Sequence, residues 1–73
     1  RKMTYAERKE FEHIENELPT LTARKEELET QLSSGTLSAE QIQAISVEYQ
    51  SLIEQIDEME MRWLELDMIN SGN

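Results

Sequence analysis

The apolar residues of this chain fall into two long rows spaced alternately by three and four, and that spacing limits the fold more than any other feature. The first row runs through Phe11, Ile14, Leu18, Leu21, Leu28 and Leu32, with Lys25 in its one vacancy. The second runs without a gap through Ile42, Ile45, Tyr49, Leu52, Ile56, Met59, Trp63 and Leu66. An α-helix turns once in about 3.6 residues, so each row draws a narrow seam down one face of a helix. A lone seam of this kind is a packing surface, and these residues are read as core.

Local signals bound the two helices. Thr4 with Glu7 three residues on forms a capping box that opens the first, and Ser33-Ser34-Gly35 closes it. Ser38 with Gln41 forms a second box, and Leu37 is placed to staple onto Ile42. The second helix is expected to fray near Asn70-Ser71-Gly72-Asn73, where Gly and Asn are natural terminators. With two glycines and one proline in 73 residues, little else interrupts helix. The expectation is a single all-α domain over 1–73, with helices over about 4–33 and 38–70 and a turn over about 34–37. So short a turn makes the helices neighbours and antiparallel, giving a coiled-coil hairpin. Because each seam satisfies the other within one molecule, the chain is expected to be a monomer.

Pro19 is the one breaker inside the first seam. The seam keeps its phase from Ile14 and Leu18 to Leu21, which reads as a kink; the alternative reading starts a new helix at Pro19. Charges suggest the register. If facing core residues sum to about 70, Leu28 meets Ile42, Leu21 meets Tyr49, Leu18 meets Leu52 and Phe11 meets Met59. Arg24 then comes near Glu48, Glu10 near Arg62 and Arg8 near Glu60, whereas a shift of one heptad sets Glu15 against Glu60. Exposed ion pairs of this sort select alignment more than they supply stability.

Several chemistries are excluded or disfavoured. Gly35 and Gly72 stand alone, so no glycine-rich loop is present to cradle a phosphate. His13 has Glu10 and Glu17 within one turn, but nothing indicates the further ligands a metal site needs, and it reads as a surface histidine. The acidic run Glu54, Asp57, Glu58, Glu60, Glu65 and Asp67 reads as a solvated face, because an open hairpin offers no cavity to tune catalytic carboxylates. The chain is expected to be non-enzymatic, with no cofactor and no metal. It has no cysteine, which fits a reducing compartment, and its longest apolar runs are two residues, so no membrane partner is expected.

Two surface features go beyond the seams. Met61, Leu64, Met68 and Ile69 form a second apolar stripe near the end of the second helix, close to Met3 and Tyr5. That stripe either closes with Met3 and Tyr5 into a small local core or serves as a docking surface for protein, with Met61, Leu64 and Met68 as its contact residues. The net charge of −9 opposes general attraction to phosphate. Six of the seven basic residues lie between Arg1 and Lys25, however, while from Ser38 onward eight acids stand against Arg62 alone. Arg1, Lys2, Arg8 and Lys9 therefore form the one region where nucleic-acid contact is physically sensible. Four phosphate contacts would give a slope of log affinity against log salt of about −3.6.

The sequence also resembles a known family, the C-terminal coiled-coil domain of ABC-F ATP-binding cassette proteins, in particular the Uup-like group. The resemblance rests on the entry Met3-Thr4-Tyr5-Ala6-Glu7-Arg8-Lys9-Glu10-Phe11-Glu12, the step Glu17-Leu18-Pro19, and the close Glu60-Met61-Arg62-Trp63-Leu64-Glu65-Leu66. It implies an accessory domain attached to two ATPase cassettes in a cytoplasmic protein that acts on ribosomes or on nucleic acid, either DNA or ribosomal RNA. The positions matching the family's basic contacts are Arg1, Lys2, Arg8 and Lys9, with Arg24 and Lys25 as further matches. The strongly acidic second half departs from that pattern and leaves contact with protein, including the parent's own cassettes, as the competing expectation.

Overall fold

The computed structural model describes residues 1–71, which form two α-helices, α1 (Tyr5–Ser33) and α2 (Ala39–Ser71), packed against each other as a hairpin. The molecule is a rod of 52 × 17 × 15 Å. Both expected capping boxes form. The Thr4 hydroxyl accepts from the Glu7 N–H at 3.1 Å, and the Glu7 carboxylate accepts from the Thr4 N–H at 2.9 Å. At the start of α2 the Gln41 N–H donates to Ser38 Oγ at 3.1 Å and the Ser38 N–H donates to Gln41 Oε1 at 2.9 Å. Each box satisfies two backbone donors that a helix start would otherwise leave to water.

Between the helices, the Ser34 N–H donates to the Gln31 carbonyl at 3.1 Å, and Gly35 then adopts φ +72°, a conformation that side chains disfavour. α2 runs to Ser71. Of the stretch expected to fray, Gly72 and Asn73 lie outside the described residues. Pro19 sits inside an unbroken α1, so the reading in which a new helix begins there does not hold. Since proline has no N–H, the Glu15 carbonyl loses its α-helical donor, but the seam remains in phase and its packing holds the turn together.

The buried residues are Ile14, Leu28, Leu52, Ile56 and Leu66, all seam positions, and Leu28 and Leu66 are fully enclosed. Burying a side chain of this size contributes about 1.5–3 kcal/mol. Lys25 occupies its seam vacancy half-buried. Two flanking bridges tie the helices across the seam. Arg24 donates from Nε and Nη2 to Glu48 at 2.7 and 2.9 Å, and Arg62 donates in the same forked way to Glu10 at 2.9 Å for both bonds. Glu17, one heptad from each of Glu10 and Arg24, instead keeps a buried carboxylate oxygen without a hydrogen-bond partner.

The seam register differs from the expected one by half a heptad. The Phe11 ring stacks on Trp63, with centroids 5.5 Å apart and planes at 20°, where Met59 was expected. Ile42, expected to cover Leu28, is 44 % exposed although Leu28 is fully buried. The third expected bridge, Arg8 to Glu60, is not formed; Arg8 borders a hollow with Lys2, Met3 and Asn70. The physical reason is that flanking charges lie between core layers, so the pairs Arg24–Glu48 and Glu10–Arg62 suit a core offset to either side. Side-chain shape decides. Carried along the seams by heptad arithmetic, the Phe11–Trp63 match sets Lys25 across from Tyr49, whose hydroxyl reaches Glu29 at 2.6 Å, whereas the expected register sets Lys25 across from Ile45.

Candidate functional site

The open end of the hairpin gathers both groups of residues singled out in the sequence, and they differ in how far they remain available. Of the basic group, Arg1 forms a two-pronged bridge to Glu7 at 2.9 and 2.7 Å. Hydrogen bonding from Arg1, reinforced by the Thr4 N–H, holds the Glu7 carboxyl down at about 2. Lys9 lies 3.7 Å from Glu12 and 5.5 Å over the Tyr5 ring. Lys2 and Arg8 are brought together around the hollow with Met3 and Asn70, and neither has an ion pair among the described residues. The further matches are used internally: Arg24 bonds Glu48 and Glu27, and Lys25 lies in the seam.

The apolar stripe does not close into a local core. Met61 is 67 % exposed, Leu64 55 % and Met68 71 %, and Tyr5 at 75 % is not drawn over them. Ile69 and Met3 are half-buried. The reason is the direction of the stripe. At about 100° per residue, Met61, Leu64 and Met68 point nearly opposite to the α2 seam, away from α1. The same geometry sets Glu60 and Asp67 along one side of the stripe and Glu58 and Glu65 along the other, each roughly 80° around the helix.

A groove that the sequence did not reveal adjoins this stripe. Leu18, Pro19, Thr22, Ala23 and Trp63 floor it, Leu64 forms one lip, and Glu15, Glu26 and Glu60 stand around it. The Trp63 indole N–H donates to Glu15 at 3.4 Å. Glu15 and Glu60, which the expected register kept apart, thus border the same groove. Pro19 and Trp63 had signalled a kink and a terminal motif; the packing of the two helices places both on one groove.

Among the described residues, no group of three or more His, Asp or Glu side chains is arranged to hold a metal, and His13 is exposed. No described helix is long and apolar enough to cross a membrane. What the fold and surface define is a two-helix hairpin, a rod with an exposed apolar stripe at its open end. Residues 2–68 match the family model of the ABC transporter C-terminal domain, and the chain belongs to that family. No curated protein and no solved structure matches it significantly.

Proposed function

We propose that this domain is a non-catalytic arm of a cytoplasmic ABC-F type ATPase and that it works by docking onto protein through its open end. The observation that carries this reading is the outward stripe of Met61, Leu64 and Met68, each more than half exposed on a helix that buries Leu52, Ile56 and Leu66 on its opposite face. Isolated apolar residues on a surface are ordinary, but three within two turns on one face form a patch suited to association. Methionine adds adaptability to such a surface. The parent's own cassettes are the nearest partner. Hydrogen exchange tests this: joining the domain to its cassettes should slow exchange over residues 61–68 relative to the domain alone. Unchanged exchange there, with slowing confined to residues 1–9 when duplex DNA or structured RNA is added, would overturn it.

A second reading, contact with nucleic acid or the ribosome, is favoured by one observation, the pairing of Lys2 and Arg8 around a single hollow. With Arg1 on Glu7 and Lys9 beside Glu12, two cations remain to meet phosphate, so the salt slope on duplex DNA should be about −1.8, half that of four contacts. Binding of that kind is weak near physiological salt for a chain of net charge −9.

A further inference from the structure

The geometry points to a cationic amphipathic helix of a partner protein as the occupant of the stripe and the adjoining groove, a reading that rests on protein docking at the open end. Two observations converge on it. First, the two surfaces share a residue: Leu64 belongs both to the outward stripe and to the lip of the groove floored by Leu18, Pro19 and Trp63. A helix laid along it would meet anchors at Met61, Leu64 and Met68, a spacing of three and four that matches the i, i+3, i+7 anchors of a helix face.

Second, the surroundings are acidic without local relief. Glu15, Glu26 and Glu60 stand around the groove, Glu60 and Asp67 run along one side of the stripe, and Glu58 and Glu65 along the other. Among the described residues, only Glu65 in this set has an ion pair, to Arg62 at 3.6 Å. The basic residues of the chain lie in α1 and before it, Arg62 excepted, and Arg62 is held by Glu10. Crowded carboxylates of one sign raise the energy of the free state, and a partner carrying Lys or Arg on both flanks of its apolar face lowers it. Nucleic acid would meet the same carboxylates as repulsion, and a second copy of this chain would bring acids against acids.

Trp63, the one tryptophan, stacks on Phe11 beside the groove and reports occupancy through its emission. The test is titration of the 73-residue chain with a synthetic Leu/Lys amphipathic helix of about 18 residues, against a scrambled peptide of equal composition without an apolar face. The expected result is a saturable emission shift with the first peptide and binding at least tenfold weaker with the second. Leu64→Gln should weaken binding about tenfold, the loss of one well-buried leucine contact. Glu60→Gln should weaken it several-fold, more at low salt. Both positions are exposed, and unchanged far-ultraviolet circular dichroism establishes that the variants remain folded.

Equal binding of the two peptides, or indifference to Leu64→Gln, would overturn the proposal by showing mere charge attraction. Absence of binding would overturn it as well. Sedimentation showing a dimer that Leu64→Gln dissolves would assign the surface to another occupant. If exchange over residues 61–68 slows against the cassettes while the peptide fails to bind, docking stands and the cationic helix falls.

Discussion

The turn half and the open half of the hairpin each enclose a leucine and differ more on the outside than within. Leu28 in the turn half and Leu66 in the open half are both fully buried, and each half carries one forked arginine bridge, Arg24 to Glu48 and Arg62 to Glu10. On the outer face of α2, however, the turn half shows a single exposed apolar residue, Val47, while the open half shows Met61, Leu64 and Met68 in a row. Interior packing therefore gives no reason for the outer stripe. The difference separates residues that hold the rod from residues that the rod displays.

The interior half of that comparison is tested by the largest effect expected. Leu28→Ala and Leu66→Ala should each destabilise the fold by about 2–5 kcal/mol, read from urea unfolding followed at 222 nm. Similar values would sharpen the claim that the halves differ less within than outside. A much smaller loss at Leu66 would mean that the open half is frayed, and the stripe would then be a sign of loose packing instead of display.

Lys25→Leu comes next. The ammonium must leave a seam position along its own aliphatic stem, so leucine there should raise stability by on the order of 1 kcal/mol. The residue lies where the turn half meets the middle of the rod, and the gain should appear as a higher Tm. An unchanged or lower Tm would show that Lys25 stands outside the seam.

How much was legible beforehand follows from what each residue contributes locally. The caps at Thr4 and Ser38, the break at Gly35 and the two seams depend on neighbours within four residues, and all are present as read except that Ile42, the first residue of the second seam, is 44 % exposed. The bridges Arg24–Glu48 and Glu10–Arg62 were also readable, because their spacing admits few alternatives. The core offset was not. It turns on the shape match of Phe11 with Trp63, and heptad spacing alone assigns equal merit to neighbouring layers. Also hidden were the groove at Pro19 and the approach of Glu15 and Glu60 to one side. The exposure of Met61, Leu64 and Met68 was by contrast a matter of angle around α2 and could have been settled from their distance from the seam.

The charged flanks allow a comparison by pH. Glu10 and Glu48 are both held below the ordinary carboxylate range, chiefly by the hydrogen bond from Arg62 in the open half and from Arg24 in the turn half, and Glu7 lies at about 2. For each, the folded value is below the unfolded one, so its stabilisation is present above the unfolded value of about 4.5 and is lost as the pH falls through the folded value. For Glu7 that window runs from about 4.5 down to about 2. Arg1→Gln should return Glu7 part of the way toward its ordinary value in a titration by nuclear magnetic resonance, the Thr4 N–H retaining the rest. An ordinary value in the unaltered chain would mean that the Arg1–Glu7 bridge does not persist in solution.

The smallest expected effect on stability falls on the residues of greatest functional interest. Met61→Gln, Leu64→Gln and Met68→Gln should each change unfolding free energy by no more than about 0.5 kcal/mol, as should Val47→Gln in the turn half, because all four side chains already face water more than they face protein. Leu64 is the discriminating case. It is the least exposed of the four and forms the lip of the groove beside Trp63 and Leu18, so it is the position where display and packing could overlap. A loss of about 2 kcal/mol or more at Leu64 would place it with Leu66 as part of the core. The outer stripe would then shrink to Met61 and Met68, two separated residues of the kind any surface carries, and the contrast between the two halves would no longer call for a partner. A loss within 0.5 kcal/mol leaves three apolar side chains whose presence folding does not require.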